Sequence, residues 1–534
     1  MRLFTLRSIA LACILLFAVA SVAHGQTSVT GALTVVVNDS QGGSVAGANI
    51  TLTNIATGEV KTQITDASGS YTFPLLSPGN YKLTISATGF KSVTVPSVTA
   101  AVTETRVITQ NLEVGSIDQQ VVVTEAEQAV QTESSTLGNV VTAQEMTGLP
   151  LVTRNYTQIL ALSPGVTADV YNATQLGRGS QPTYVNGLDN ISNNYQQDGV
   201  SISNYASSTP QDPASFYGAI PIPSPDAIEE FKVQTSLFDA GYGRNPGGNV
   251  NVVTKTGGND LHGSAFEFFR NDALNANGWF QKRAGNPRGK LEQNQFGGVM
   301  GGAIKKNKLF WFGSYQGTKQ INGVATQGSS TVTLPSQLTD NRSAAAIGAA
   351  FCPANNPIGA PGARYAYTYN PSGAMNPAGD QVACDGSNIN PVALNLLNAK
   401  LPDGTFVIPT PQTVLNPTSA SAVGFSSFSV PARFTENQAL FNLDYVINSK
   451  NTLSGKYFYA YAPQTQDFAN ANGQPPGSGI SVLSGDQLFI GKLTSTITNN
   501  LVNEVYFSNY YIRASIDSND PITASSMGTQ TAAP

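Results

Sequence analysis

The sequence predicts a mainly β protein, with a small β-sandwich, a mixed α/β unit and the first part of a transmembrane antiparallel β-barrel that stays incomplete. Three observations predict this class. The 51 glycines, 30 prolines and 20 tyrosines among 534 residues favour turns and strands over helices. Residues 27–113 carry turn signals at roughly ten-residue spacing between alternating segments, as in small sandwiches. From His262 onward, amphipathic segments are joined alternately by very short turns and very long polar loops, which is typical of outer-membrane barrels.

Residues 1–25 are predicted to be a cleavable export signal. Two arginines precede an unbroken apolar run over 9–20, which is too short to span a bilayer comfortably. Ala23 and Gly25 place small residues where a signal peptidase cuts. No later run is apolar for about 18 residues, so we expect no transmembrane helix. A closed barrel is then the remaining way into a membrane, since closure satisfies every backbone group.

Composition also limits the partners and the chemistry. Only 11% of the residues are charged and the net charge is −5, so there is no basic field and no nucleic-acid partner is expected. The chain has two histidines, of which His24 leaves with the signal and His262 is isolated. No zinc cluster or Ser-His-Asp set can be built from them. We therefore expect no metal, no cofactor and no enzymatic activity.

The predicted sandwich has several short alternating strands separated by turns. The clearest of these strands cover 31–37, 48–53, 62–65, 71–73 and 81–86. The segment 38–43 resembles a calcium loop in position, but it lacks the acidic ligands that such a loop requires, so we interpret it as a turn. Four runs of this region resemble the carboxypeptidase regulatory-like domain. They are VAGA at 45–48, TDASGSYTF at 65–73, LSPGNY at 76–81 and ATGF at 87–90.

That resemblance implies a transthyretin-like or starch-binding-like sandwich without catalytic residues, which in some members binds carbohydrate. A pure spacer or docking module is the alternative.

Residues 114–125 follow as a β-prone linker in which Val121, Val122, Val123 and Thr124 resemble a TonB box. An extended, unpaired run of this kind can add as a strand to the sheet edge of a partner. The implied partner is a TonB-type energy-coupling protein of the inner membrane, and the alternative is a last sandwich strand or a plain linker.

Residues 126–258 resemble the plug domain of TonB-dependent transporters. Two short helices are expected around 148–150, at 143–146 and 154–162. The runs that match the plug are LPLVTRN at 149–155, QDGV at 197–200, IEEFKV at 228–233 and GGNVNVVTKTG at 247–257. The glycine pair Gly247-Gly248 runs into a β sequence rather than a helix start, which argues against a phosphate-binding loop and for close packing. The Asp198-Gly199 pair is interpreted as a turn and not as a catalytic acid.

Residues 259–534 are predicted to form part of an outer-membrane barrel, and GSAFEFFRN at 263–271 resembles the first barrel strand of Oar-like TonB-dependent receptors. Seven strands are expected, at about 262–270, 293–304, 308–317, 436–447, 452–461, 487–498 and 500–512. In the fourth, Phe441, Leu443 and Tyr445 are expected to face lipid, opposite Gln438 and Asn442. Since plugged barrels have about 22 strands, we interpret the sequence as the N-terminal portion of a longer receptor.

Cys352 and Cys384 lie in the longest outer loop, and an oxidising periplasm favours a disulfide between them over two free thiols. The tyrosine-rich segment 364–369 of this loop favours an oligosaccharide or a peptide as the extracellular ligand, and a siderophore is the alternative ligand.

The predicted function is TonB-dependent uptake across a bacterial outer membrane, with lipid around the barrel and the sandwich in the periplasm. The alternative is a surface, adhesion or export-associated structural protein.

Overall fold

In the part of the chain that the computed structural model describes, there are six β-sheets and little helix. The structure describes residues 29–115, 120–122, 136–168, 182–203, 222–238, 245–277, 287–325, 328–352, 382–401, 403–418, 422–468, 479–498 and 501–519, together with a few isolated positions between these ranges. The predicted export signal lies outside the described residues.

The N-terminal region is a two-sheet sandwich. Its strands are β1 (Gly31–Asp39), β2 (Asn49–Asn54), β3 (Val60–Ile64), β4 (Ser70–Leu76), β5 (Gly79–Ser86), β6 (Ser92–Ala100), β7 (Thr105–Leu112) and β8 (Gln120–Val122). One sheet has the order β4-β1-β7 and the other the order β3-β2-β5-β6-β8. Alternate residues such as Leu33, Val35 and Ile50 are buried between the two sheets. The predicted sandwich is therefore present, with three strands (β6, β7 and β8) that the turn signals did not identify.

The plug is a mixed sheet with short helical turns around it. It contains β9 (Leu137–Thr142), α1 (Ala143–Gly148), β10 (Val166–Ala168), β11 (Thr183–Val185), β12 (Asn194–Gln197), β13 (Val200–Ser201), β14 (Ile228–Ser236) and β15 (Asn249–Thr254), with 3₁₀ turns at Tyr156–Leu162, Asn190–Ser192 and Pro225–Ala227. The main sheet has the order β13-β12-β15-β14-β9, so β14 lies inside it and β9 at its edge. A capping box between Thr142 and Glu145 starts α1. The second predicted helix is a 3₁₀ turn that begins two residues late, because the Asn155 side chain caps it by accepting from the Thr157 N–H.

Seven antiparallel strands form the barrel wall, as predicted. They are β16 (His262–Asn271), β17 (Leu291–Lys305), β18 (Leu309–Asn322), β22 (Ala432–Asn448), β23 (Asn451–Gln466), β24 (Ile480–Thr498) and β25 (Leu501–Ser518). They are paired in chain order, and the edge strands β16 and β25 do not pair with each other. Most run several residues further than predicted at the end away from the tight turns, because the backbone pairing between neighbouring strands continues there.

The two faces of the wall have the predicted polarity. On β22, Phe441 and Leu443 are exposed on the outside (50% and 37%), whereas Gln438 and Asn442 are buried against the plug. On β18, Phe310 and Phe312 turn inward and are buried, which explains why Leu309 to Phe312 is apolar on both faces. Phe312 shares one core with the plug residues Tyr156 and Phe231. The wall therefore lies against the plug with a mixed polar and apolar inner face.

The long connection between β18 and β22 is folded rather than a bare loop. It carries β19 (Ser329–Leu334), α2 (Ala344–Phe351), α3 (Pro391–Asn398), β20 (Thr413–Leu415) and β21 (Val423–Ser429), with the sheet order β19-β21-β20. A separate apolar core that includes Leu334, Ile347 and Phe351 holds these elements together. We call this unit the outer-loop module; the prediction of a plain polar loop is wrong here, because the apolar residues of the segment form a core of their own.

Candidate coupling site between sandwich, plug and barrel

The predicted coupling run begins in strand β8, at the edge of the sandwich. β8 pairs in parallel with β6, with Val93 opposite Val121 and Thr94 opposite Val122. The expectation that the run is unpaired is therefore wrong for Val121 and Val122. Val123 and Thr124 lie outside the described residues, and the role of the run stays a prediction. Among the described strands, none pairs with the second edge of β8.

The sandwich contacts the plug through two polar groups of β14. The backbone N–H of Val102 donates to the Glu230 carboxyl group. The Lys232 Nζ lies 3.2 Å from the Glu104 carboxylate, and the Lys232 side chain is only 1% exposed. A buried ammonium is stable only when it is paired, so this contact holds the sandwich in one place. Sequence reasoning missed it, because 128 residues separate the partners.

Glu230 lies in an environment that disfavours its charge. The pKa of the Glu230 carboxyl is raised to about 8, chiefly by burial; the negative charges of Glu229 and Glu104 also raise it, while the Val102 N–H and Lys232 lower it. Burial likewise raises the pKa of the neighbouring Glu229. The Glu230 side of the contact is therefore a neutral carboxyl group near pH 7.

The sandwich also lies against a tight turn of the barrel. The backbone N–H of Asn259 donates to the Ala56 carbonyl at 2.7 Å, and the Asn259 side chain donates to Asn307 at 2.7 Å. Asn307 has a φ of +60° in the short turn between β17 and β18, where Asn is well tolerated. A Cβ on Gly58 would collide with the Asn307 side chain, so only glycine allows this close approach.

The plug is joined to the inner wall by a buried ion pair. The Lys456 Nζ on β23 lies 2.6 Å from the Asp198 carboxylate, whose side chain is 5% exposed. The same carboxylate accepts from the Thr254 N–H at 3.0 Å and from its hydroxyl at 2.8 Å. Asn442 on β22 donates to the Thr254 hydroxyl at 3.1 Å and to the Lys255 carbonyl at 2.6 Å. The Asp-Gly turn seen in the sequence thus places an anchoring carboxylate, which turn statistics alone do not reveal.

Arg154 forms a second anchor between the plug and the wall. Its guanidinium pairs with Asp226, donates to the Ser224 hydroxyl at 3.2 Å and donates through Nε to Gln316 on β18 at 3.0 Å. The same group lies over the Phe266 ring of β16, 3.9 Å from its centroid. Arginine suits such a site, because its planar fork donates in several directions and its face stacks on aromatic rings.

A cavity of about 500 Å³ lies where sandwich, plug and barrel meet. The sandwich turn around Ala56 forms one side of it. The anchoring residues Asp198, Thr254 and Lys456 line another. The plug–barrel ion pair therefore borders a space that the sandwich partly covers.

At the other end of the barrel, the plug contacts the base of the outer-loop module. The Gly177 N–H donates to Gln320 at 2.6 Å, and a Cβ on Gly177 would lie 2.7 Å from the Phe434 ring.

Within the outer-loop module, Cys352 and Cys384 are joined by a disulfide with their Cα atoms 5.0 Å apart. The formation of this bond in the exported protein stays a prediction. The tyrosine-rich segment 364–369 lies outside the described residues.

The described residues contain no group of three His, Cys, Asp or Glu side chains arranged to hold a metal ion. Within the same part of the chain, no helix is long and apolar enough to cross a bilayer. Asp198, which the sequence predicts to be a turn residue, forms the anchoring ion pair with Lys456.

Three family models match this chain in succession. Residues 32–113 match the carboxypeptidase regulatory-like domain, residues 116–250 match the TonB-dependent receptor plug domain, and residues 253–533 match an outer membrane beta barrel domain. The barrel match alone covers more than half of the chain.

The TonB-dependent transporter Oar of Myxococcus xanthus is a curated relative, with 26% identity over 283 residues. The match covers 49% of this chain, which spans about a quarter (25%) of the length of that relative. The outer membrane transporter YddB of Escherichia coli has 11% identity and a TM-score of 0.39, covering 68% of this chain and 37% of its own. The ferric enterobactin receptor of Pseudomonas aeruginosa has 13% identity and a TM-score of 0.33, covering 71% and 46%. From the three family models and the plugged β-wall together, the chain belongs to the TonB-dependent outer-membrane receptors that carry a carboxypeptidase regulatory-like domain.

Proposed function

We propose that this receptor takes up an extracellular ligand through its barrel, driven by a TonB-type inner-membrane protein that captures the run from Val121 to Thr124. The observation that supports it best is the polar inner wall. Buried amides and hydroxyls face the plug on three neighbouring strands: Gln293, Gln295, Gln316, Thr318, Gln320, Gln438 and Asn442. Water can solvate such groups when the plug moves, so the interface can open at lower cost than an apolar core.

The proposed capture step follows from the chemistry of strand edges. β8 lies at the end of its sheet, and the main-chain groups of its second edge can pair with a partner strand. The linker 114–125 joins the sandwich (27–113) to the plug (126–258), so a pull on it reaches both. The barrel part (259–534) stays in the membrane and carries the outer-loop module.

The ligand that we propose is an oligosaccharide or a peptide. The outer-loop module supports this proposal, because its own core and its disulfide give a broad, ordered surface above the barrel. The sandwich resembles modules that in some proteins bind carbohydrate. Labelled maltohexaose and a labelled hexapeptide, offered separately to cells that carry the complete receptor, are suitable first probes.

The test of energy coupling is Val122→Pro in the complete receptor. Proline removes one backbone donor from the strand that the partner would pair with. We expect uptake of the bound probe to fall at least about tenfold, equal to roughly 1.4 kcal/mol, while probe binding to the cell surface is retained. Val122→Thr keeps the N–H group and the β-branched shape, and it should transport normally. Equal uptake by the two variants would contradict the proposal and would return attention to a surface or adhesion role.

A further inference from the structure

Uptake by itself does not explain why the sandwich is attached at two places. One attachment is to β14, a strand inside the plug sheet, through Glu230 and Lys232. The other is to the barrel: the Ala56 carbonyl accepts from the Asn259 N–H, and the Asn259 side chain donates to Asn307 in the tight turn. The plug must move for a ligand to pass, whereas the barrel stays in the membrane. A module that is bound to both the plug and the barrel opposes their separation.

The sandwich side of this grip is preorganised. The loop between β6 and β7 contains Val102 and Glu104, and the Thr103 between them has a φ of +54°. The Thr103 N–H donates to the Thr30 carbonyl at 2.9 Å, and the Ala32 N–H donates to the Glu104 carbonyl at 2.8 Å. Because these bonds hold the loop against β1, docking needs little further ordering and the contact gains in strength.

An apolar contact completes the grip. Val29, Val102 and Val253 form a small buried cluster between the N-terminal end of the sandwich and the plug strand β15. Polar and apolar contacts therefore act at the same point. The sandwich is docked on the plug and is not a module on a free tether.

The docked sandwich also covers part of the buried ion pair between plug and wall. Asp198, Thr254 and Lys456 border the same cavity as the sandwich turn around Ala56. If the sandwich leaves, water reaches this cavity more freely, and the attraction between the two charges falls as the local dielectric rises. Removal of the sandwich thus weakens a plug–barrel contact that the sandwich itself does not touch.

β8 lies on this same sandwich, paired with the first three residues of β6. The far end of β6 leads directly into the loop with Val102 and Glu104. A single strand with a buried face thus connects the proposed coupling segment to the grip on the plug. A pull on β8 acts first on the module that holds the plug closed.

We propose that the sandwich is a latch: it ties plug strand β14 to the barrel turn at Asn307 in the resting receptor, and a pull on β8 lifts it before the plug moves. The pulling step rests on the proposed function; the latch itself does not. Lifting the sandwich breaks the Glu104–Lys232 pair and hydrates the Asp198–Lys456 pair. The plug then opens under a smaller force.

The experiment uses the complete receptor in lipid, without any TonB-type protein. Spin labels on cysteines introduced at Ser68 of the sandwich and Ser449 of the β22–β23 turn, both exposed positions, report the distance between sandwich and barrel. Ion conductance across a planar bilayer reports whether the plug still seals the lumen. Glu104→Gln should broaden the distance distribution and increase the conductance several-fold.

The matched control is Glu113→Gln, which removes a partly exposed ion pair within the sandwich, Lys91–Glu113 at 2.9 Å. It should leave both readouts at the wild-type values. Exchanging the charges in Glu104→Lys with Lys232→Glu should restore a narrow distance distribution. Asn307→Gly attacks the second attachment while it keeps the turn, and it should also broaden the distribution.

An unchanged distance and conductance for both Glu104→Gln and Asn307→Gly would overturn the latch. A loss of the heat-modifiable gel mobility of the barrel would reveal a folding defect, and Asn307→Gly, which lies outside the plug, then decides the question. If the latch readouts respond as expected but Val122→Pro transports normally, the proposed coupling fails and the latch stands.

Discussion

Apolar and polar residues alternate along the strands of both the sandwich and the barrel wall, but the apolar face lies inside the sandwich and outside the barrel. On sandwich strand β1, Leu33, Val35 and Val37 point into a sealed core and have almost no exposed surface. On barrel strand β22, Phe441 and Leu443 point outward, and the polar Gln438 and Asn442 are buried together with Leu440. Period two therefore tells that one face differs from the other, but not which face is inside. Which face lies inside is decided by the polarity of the residues on each face and by the alternation of short turns and long loops.

The largest expected effect is in the sandwich core. Val35→Asp places an unpaired charge where no exposed surface exists, and it should destabilise the sandwich by more than about 4 kcal/mol. Trypsin should then cut within residues 27–113 of the purified receptor under conditions in which the wild type resists. Thr34→Asp, on the opposite face of β1, is the control and should resist almost as well. Equal susceptibility of the two variants would mean that the two faces do not differ.

The inner face of the barrel should tolerate the loss of a buried charge poorly. Lys456→Met leaves the Asp198 carboxylate buried without its cation, which costs about 3 kcal/mol or more. Hydrogen exchange of the β15 amides, next to the anchor, should become faster by about two orders of magnitude. The control is Lys290→Met, which removes a half-exposed ion pair with Glu292 at 2.5 Å. It should change the free energy of opening measured for the β15 amides by less than about 1 kcal/mol. An effect of equal size in the two variants would argue against the anchor.

On the outer face, the cost of a charge should depend on depth. Leu443→Lys, near the middle of β22, should reduce folding into lipid vesicles by about 2 kcal/mol. Ile447→Lys, on the same face but next to the tight turn, should cost less than about 1 kcal/mol. The folded fraction can be measured from heat-modifiable gel mobility. A larger loss for Ile447→Lys would place the membrane boundary elsewhere.

The last expected effect is the pH dependence of sandwich docking. The pKa of Glu230 is about 8 in the docked state, and it returns toward its ordinary value of 4.5 when the group is solvated. The docked state therefore binds the extra proton, and its stability is full below pH 4.5 and is lost as the pH rises through 8. The slope is at most about 1.4 kcal/mol per pH unit.

The distance between the spin labels on Ser68 and Ser449 should thus become broader between pH 6 and pH 9. Glu230→Gln, which keeps an uncharged acceptor for the Val102 N–H, should remove most of this dependence. A distribution that narrows with rising pH would show that the sign is wrong.

Several parts of this molecule could be predicted because their signals are local. The seven wall strands follow from alternation within each segment, and the outward position of Leu443 follows from its neighbours Asn442 and Asp444. The plug helices follow from short runs around Gly148. The tight turn at Asn307 follows from its polar, glycine-free sequence between two apolar segments.

Other features could not be predicted, because each joins residues that are distant along the chain. Lys456 meets Asp198 across 258 residues, and Arg154 meets Gln316 across 162. The residues next to Lys456 and Arg154 in the sequence do not distinguish these two buried side chains from charged side chains exposed to solvent. Val121 and Val122 were expected to be unpaired, yet β6 offers them a sheet edge that only the folded sandwich forms.

The sequence by itself thus determined the periodicity, the order of the parts and the polarity of each strand, since these depend on neighbours a few residues away. Only the tertiary structure decided which buried charges pair, where the sandwich docks and which edge receives β8. The physical reason is that the free energy of a buried ion pair or a strand edge depends on desolvation and on its partner, and both exist only after the chain has folded.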